Sequence, residues 1–267
     1  MKCAIEVRTM YGILLKLAYD GTEFCGWAAQ KNRRSIQDTL AGAIRTLDPR
    51  GTSPRATSRT DAGVHAEAQF VAFDTALHIP PRGWVLALNQ HLPDDVSVRS
   101  ARAVPAGFNP RFANRGKRYH YDLLLDRVRD PLERLRAWRI GWQLDLPLLR
   151  SEAALLQGTH DFGAFRSVRD VRPSSVRTMR RIEFEEQNRG RVLRVVVEGN
   201  SFLYNMVRIM VGTLIDVGRG KLPPGTVTRA LAERDRRVAG TTAPAHGLTL
   251  EWIDLLLPDG AAEPWPL

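Results

Sequence analysis

Cysteine is nearly absent: Cys3 and Cys25 are the only two in 267 residues. Two thiols cannot build a disulfide framework or a four-ligand zinc cage, and they are expected as free thiols of a reducing compartment. Lysine is scarce as well, with only Lys2, Lys16, Lys31, Lys117 and Lys221 among 39 basic residues. No long apolar run exists. The most apolar helix candidate, 201–217, is broken by Asn205, Arg208 and Asp216, which argues against a membrane span. The opening M-K-C-A-I-E-V-R-T-M lacks the apolar core of a signal peptide, so a cytoplasmic protein is expected. Gly220-Lys221 lacks the upstream glycine and the following hydroxyl of a phosphate loop. Gly218-Arg219-Gly220 is not a dinucleotide fingerprint, and no histidines cluster as metal ligands. The expected chemistry therefore runs on side chains, with no cofactor and no metal.

What is present is positive charge. The formal net charge is +10 and the isoelectric point is near 10.3, carried almost wholly by arginine. Arginine grips phosphate with a planar fork and stacks on bases, so an anionic polymer is the leading partner. Apolar residues make up 43% and charged residues 25%, the balance of a soluble globular protein. The length leaves room for two domains.

The patterning predicts a strand over 11–19, ended by Asp20-Gly21, then a helix after the N-cap Ser35, with Ile36, Leu40, Ile44 and Leu47 at helical spacing. Strands over 53–58 and 66–74, a helix over 81–91 and a strand within 95–103 complete a β-α-β-β-α-β order. That is the split βαβ of ferredoxin-like domains. The same order follows the 104–116 linker: a strand over 117–125, a helix over 147–157, and strands over 175–186 and 191–199 joined at Asn188-Arg189-Gly190. Helices over 201–217 and 224–235 and a strand over 247–253 complete it. The expected fold is α+β: two ferredoxin-like (RRM-like) βαββαβ halves, 1–107 and 108–257, with antiparallel sheets meeting at a central catalytic cleft. A loose tail is expected over 258–267.

Within this frame, S-R-T-D-A-G-V-H-A (58–66) places Asp61 in a glycine-containing turn between two strands, where a rigid sheet presents chemistry to a ligand; the alternative on spacing alone is an Asx-turn residue hydrogen-bonding its own loop. Arg59 points to the same side if the strand continues that far. His65 and Glu67 form H-A-E, half of a zinc deaminase pattern, but no C-x-x-C exists to complete it. Arg208 lies in a helix that is apolar on nearly every face. Unless it snorkels to water, it must meet a carboxylate or phosphate, and Asp61 is a natural mate. Tyr119 and Tyr121 share one face of K-R-Y-H-Y (117–121). Ordinary sheet packing is one account of them; with Lys117, Arg118 and His120 around them they also have the composition of a base-stacking platform. Arg33, Arg34, Arg111, Arg115, Arg166, Arg169, Arg172, Arg177, Arg180 and Arg181 could track a phosphate backbone.

S-R-T-D-A-G-V-H-A closely resembles the G-R-T-D-A-G-V-H motif of the tRNA pseudouridine synthase A (TruA) family. Blocks at 17–27, 35–40, 89–98, 108–113, 117–121, 161–166, 202–212 and 243–250 resemble the family in family order, covering roughly residues 11 to 253. The resemblance implies that Asp61 is the catalytic aspartate, that Tyr119 stacks on the target uracil, that Arg208 pairs with Asp61 and that Leu248 lines the pocket. It also implies that Arg59 helps to open or hold the RNA. It further implies a homodimer without cofactor, acting on tRNA at uridines 38, 39 and 40 of the anticodon stem-loop. Ser58 departs from the usual glycine. The implied reaction breaks the ribose bond to ring nitrogen and makes one to ring carbon 5. Asp61 would act either as nucleophile at the sugar or as base at the 2′ carbon. Tyr119 or Asp61 would take the proton from carbon 5. Two rivals are a non-catalytic RNA-binding protein with two RRM-like halves and a small-molecule carboxylate-dependent lyase or hydrolase. The first is weakened by the absence of the RNP1 aromatic run.

Overall fold

A computed structural model describes residues 10–260. The amino-terminal strand β1 (Tyr11–Tyr19) leads through a polar loop to α1 (Ile36–Leu47). Ser35 starts that helix because its Oγ accepts from the Asp38 backbone N–H at 3.0 Å and donates to the Asp38 carboxylate at 2.6 Å. Strands β2 (Arg55–Ala56) and β3 (His65–Thr75) flank the Asp61 loop, followed by α2 (Pro81–Asn89) and β4 (Val96–Val104). Asn89 closes α2 and clasps β4, donating to the Val98 carbonyl and accepting from the Val98 N–H at 2.9 and 2.8 Å.

The second half comprises β5 (Asn114–Leu125), β6 (Trp138–Ile140), α3 (Leu146–Ala154), β7 (Gly158–Asp161), β8 (Val176–Gln187), β9 (Val192–Gly199), α4 (Met206–Gly218), α5 (Thr226–Glu233) and β10 (Leu248–Leu255). The fold is α+β. The two expected sheets are corrected in one respect: the strands form a single ten-stranded sheet in the order β4-β1-β3-β10-β5-β9-β8-β7, with β2 on β3 and β6 on β5. The join is β10. It pairs in parallel with β3 through Thr249–His65 and Leu250–Ala66, and antiparallel with β5 along its other edge. Strands from opposite ends of the chain thus share an edge, and the Asp61 loop immediately precedes that edge.

Several boundaries differ from expectation for physical reasons. The strand expected over 53–58 pairs regularly only at Arg55–Ala56. Pro54 has no N–H to give the ladder, and the chain then leaves toward the loop, held by Thr57 N–H to the Phe70 carbonyl at 2.9 Å. Helix α4 begins at Met206, because Asn205 takes a left-handed conformation with φ 60°. The linker is ordered by turns at Pro105–Phe108 and Asn109–Phe112. It is clamped by Arg55, which donates to the Phe108 carbonyl and pairs with Asp74 at 2.9 Å. Short strands β6 and β7 were not anticipated. Of the expected tail, 261–267 lies outside the described residues, as do Cys3 and the rest of 1–9.

One large apolar core runs through both halves, from Leu14, Phe70 and Trp84 to Tyr121, Phe165 and Ile215. Among the described residues no helix is long and apolar enough to cross a membrane.

Candidate active site

The Asp61 loop is held from beneath by the segment after β1. The Thr60 hydroxyl shares a 2.8 Å hydrogen bond with the buried Tyr19 phenol. Trp27 N–H donates to the Thr60 carbonyl at 3.1 Å and Gly63 N–H to the Phe24 carbonyl at 3.3 Å. Val64 N–H closes the turn onto the Asp61 carbonyl at 3.2 Å, with Gly63 at φ +77°. Gly26 makes the close support possible: a Cβ there would sit 2.7 Å from the Thr60 carbonyl oxygen. The D-G-T-x-F-x-G-W block and the R-T-D-A-G block are therefore two sides of one contact.

Asp61 faces Arg208, whose Nη1 lies 3.8 Å from the Asp61 Oδ2. Both side chains are mostly buried, 17% exposed for Arg208 and 21% for Asp61. Every residue of α4 except Arg208 is buried. The guanidinium is locked in place by two further bonds, Nε to the Ala243 carbonyl at 2.8 Å and Nη1 to the Asn205 Oδ1 at 3.0 Å. The left-handed turn at Asn205 aims its side chain for this role. Burial pushes Asp61 up to about 6, opposed by the positive charges of Arg208 and Arg172. Asp61 thus remains mainly ionised at neutral pH.

Strand β5 supplies the other wall. Tyr119 is buried, packs edge-on against Phe202 with ring centres 5.1 Å apart, and lies by the Ser58 hydroxyl. Burial pushes its phenol up to about 12, opposed by the Ser58 hydrogen bond and reinforced by the Asp61 charge. Lys117, two residues earlier, reaches the same Ser58 and donates to its Oγ at 3.0 Å. Leu248 is buried at the start of β10, paired with Tyr121. Arg59 is exposed beside the loop.

The expected basic stacking platform is smaller than its composition suggested. Arg118 and His120 bond with acids instead: Arg118 with Glu198 and Glu251 at 3.2 and 3.4 Å, and His120 with Glu251 at 3.3 Å. Tyr121 is fully buried and donates to the Pro244 carbonyl at 2.7 Å. Tyr119 of the platform is near enough to Asp61 for that charge to act on its phenol. His65 is structural: its Nδ1 accepts from Gly21 N–H at 3.1 Å and its Nε2 donates to the His246 carbonyl at 3.1 Å. Among the described residues, no group of acidic, histidine and cysteine side chains could hold a metal. A surface hollow of about 430 Å³, lined by Arg166, Arg234 and Arg236, lies elsewhere on the second half and does not include Asp61. Phe202 and Ser58 are the neighbours that reasoning from sequence missed as site-builders. Phe202 stood in a quoted block, but nothing in its spacing indicates that it reaches Tyr119.

A loop carboxylate kept charged by a guanidinium, beside a buried aromatic and in an arginine-rich chain, is the constellation expected of an enzyme acting on an anionic substrate. The family model described as tRNA pseudouridine synthase matches residues 7–113 and 153–254. The chain is 44% identical over 244 residues to a tRNA pseudouridine synthase A of Geobacter sulfurreducens, covering 91% of this chain and 99% of that protein. It is 42% identical to proteins of the same name from Bacillus licheniformis, covering 88% of this chain and 95% of that one, and from Myxococcus xanthus, covering 90% of each. The chain belongs to the tRNA pseudouridine synthase family, and is an isomerase of tRNA uridine. That membership displaces both the non-catalytic RNA binder and the small-molecule lyase.

Proposed function

We propose that this protein converts uridine to pseudouridine at positions 38, 39 and 40 of the tRNA anticodon stem-loop, with Asp61 as the catalytic group. The observation that carries this reading is the Asp61–Arg208 contact at 3.8 Å, made between two largely buried side chains near the buried Tyr119. An ionised carboxylate is required whether it attacks the sugar as nucleophile or draws off the 2′ proton as base. Arg208 keeps it ionised against desolvation, and its own two anchoring bonds fix its direction. Once the bond from ribose to ring nitrogen breaks, the freed uracil turns against Tyr119, enclosed by Leu248. The new bond forms at carbon 5. The proton leaving carbon 5 is balanced by the one gained at the ring nitrogen, so the product is an isomer and no oxidant is needed.

The target base must leave its stack to reach a buried aspartate, and in this reading Arg59, which is exposed, holds the RNA open. The reading includes a homodimer and two split βαβ halves, 1–107 and 108–257. In support of the halves, strand neighbours run β4-β1-β3 with β2 beyond β3, and β10-β5-β9-β8. With the short β6 and β7 set aside, each order is last-first-third-second within its half.

The test is single-turnover conversion of anticodon stem-loop transcripts bearing one uridine each at 38, 39 or 40. Asp61→Asn should bind these RNAs within a few-fold of wild type and form no pseudouridine. Normal product from that variant, or conversion only at uridines outside the anticodon arm, would overturn the assignment.

A further inference from the structure

Lys117 is 8% exposed, and its Nζ donates to the Ser58 hydroxyl at 3.0 Å. Among the described residues no carboxylate lies within ion-pair distance of it; Asp61 is matched to Arg208 instead. Its surroundings are cationic. Burial, followed by the charges of Arg172 and Arg111, lowers its ammonium to about 8. A buried charge without a counter-ion costs several kcal/mol (order of magnitude), and a fold sustains one where a ligand brings the missing anion. An ammonium has three N–H donors. One goes to Ser58, and among the described residues the others meet no acceptor and are left for a ligand.

The location selects the ligand. Lys117 and Tyr119 are two residues apart on one face of β5, roughly 7 Å along the strand. Arg172 is near enough for its positive charge to act on both Asp61 and Lys117. It is held by Asp170 at 2.5 Å and donates to the Phe202 carbonyl at 2.6 Å, behind the ring that abuts Tyr119. A nucleotide with its base on Tyr119 therefore carries a backbone phosphate within reach of Lys117. Building on the function proposed above, we propose that Lys117, supported by Arg172 and Arg111, seats the backbone phosphate adjacent to the uridine being isomerised. The Ser58 hydroxyl, present where the family usually has glycine, holds the ammonium in position before RNA arrives.

The experiment uses the full chain and anticodon stem-loop RNAs with one target uridine. The linkage on its 5′ side, or separately its 3′ side, is replaced by a neutral methylphosphonate. Affinity and single-turnover rate are measured for wild type, Lys117→Gln and Lys117→Arg. At one linkage, neutralisation should weaken wild-type binding about tenfold or more, the scale of one charge-assisted contact. Lys117→Gln should lose a similar factor on native RNA and nothing further on the neutral linkage, while Lys117→Arg keeps most of the affinity. Wild-type binding unchanged within twofold at both linkages, or losses that multiply at both, would overturn the seat. The wild-type arm decides even if Lys117→Gln folds poorly. Failure of wild type to convert native RNA would count against the proposed function, whereas conversion with indifference to both linkages removes only the phosphate seat.

Discussion

At the scale of single residues, the site is governed by Asp61 being ionised where burial opposes ionisation. Its folded value of about 6 stands above the ordinary 3.8. Between these values the folded protein binds more protons than the unfolded chain, so stability declines as pH rises through that window and stays lower at pH 7. Asn approximates the protonated carboxyl. Asp61→Asn should therefore stabilise the fold at pH 7 by about 1–3 kcal/mol while removing activity; thermal unfolding at pH 4 and pH 7 checks this, with the gain confined to the higher pH. The wild-type rate should fall as pH drops through about 6. Arg208→Met removes the main charge opposing that rise, so the acid limb should move upward and the rate at pH 7 drop by at least about tenfold. A pH–rate profile of both proteins reads the shift directly. The Asp61–Arg208 contact was legible in part: a cation in an apolar helix needs a partner, but a carboxylate in a glycine-containing turn can equally serve its own turn, so spacing alone did not decide its role. Ser58 and Phe202 were not legible, because a hydroxyl or a phenyl ring acquires its meaning only from the neighbour it meets.

At the scale of elements, α4 and the chain leading into β10 act as a unit. Gly212 lets that chain press onto the helix: a Cβ would fall 1.9 Å from the Thr241 carbonyl oxygen. The contact continues through Ala243, which donates its N–H to the Arg208 carbonyl at 3.0 Å and accepts from the Arg208 guanidinium. Gly212→Ala should thus cost about 2–3 kcal/mol or more by overpacking. It should also lower the rate, since shifting 241–247 disturbs both Arg208 and Leu248. Denaturant unfolding together with single-turnover kinetics tests this, and an unchanged rate in a folded variant would separate the two effects. Long patterned elements such as β1, α1, β8 and β9 could be placed from the sequence within a few residues, because alternation and capping are local signals. Strands β6 and β7 could not. They are three and four residues long and exist because β5 and β8 offer them an edge.

At the scale of the molecule, the net charge of +10 is not spread uniformly over usable sites. Of the arginines singled out by sequence, Arg34, Arg115, Arg172, Arg180 and Arg181 are engaged with acids. Among the described residues Arg33, Arg111, Arg166, Arg169 and Arg177 form no such ion pair. Four phosphate contacts from such residues would make tRNA affinity fall about 100-fold between 50 and 200 mM salt. A titration of affinity against salt measures this, and a flat response would exclude the arginine surface as the RNA track. Composition, periodicity and short motifs determined the positive charge that calls for an anionic partner, the element order and the candidate carboxylate at Asp61, since charge balance and local backbone preference need no knowledge of the fold. Tertiary structure alone decided that the sheets are continuous through β10, that Arg118 and His120 are spent on glutamates, and that Lys117 is buried with no counter-ion among the described residues. Those outcomes depend on which distant strands share an edge, and strand pairing over such separations leaves no mark in either strand's own residues.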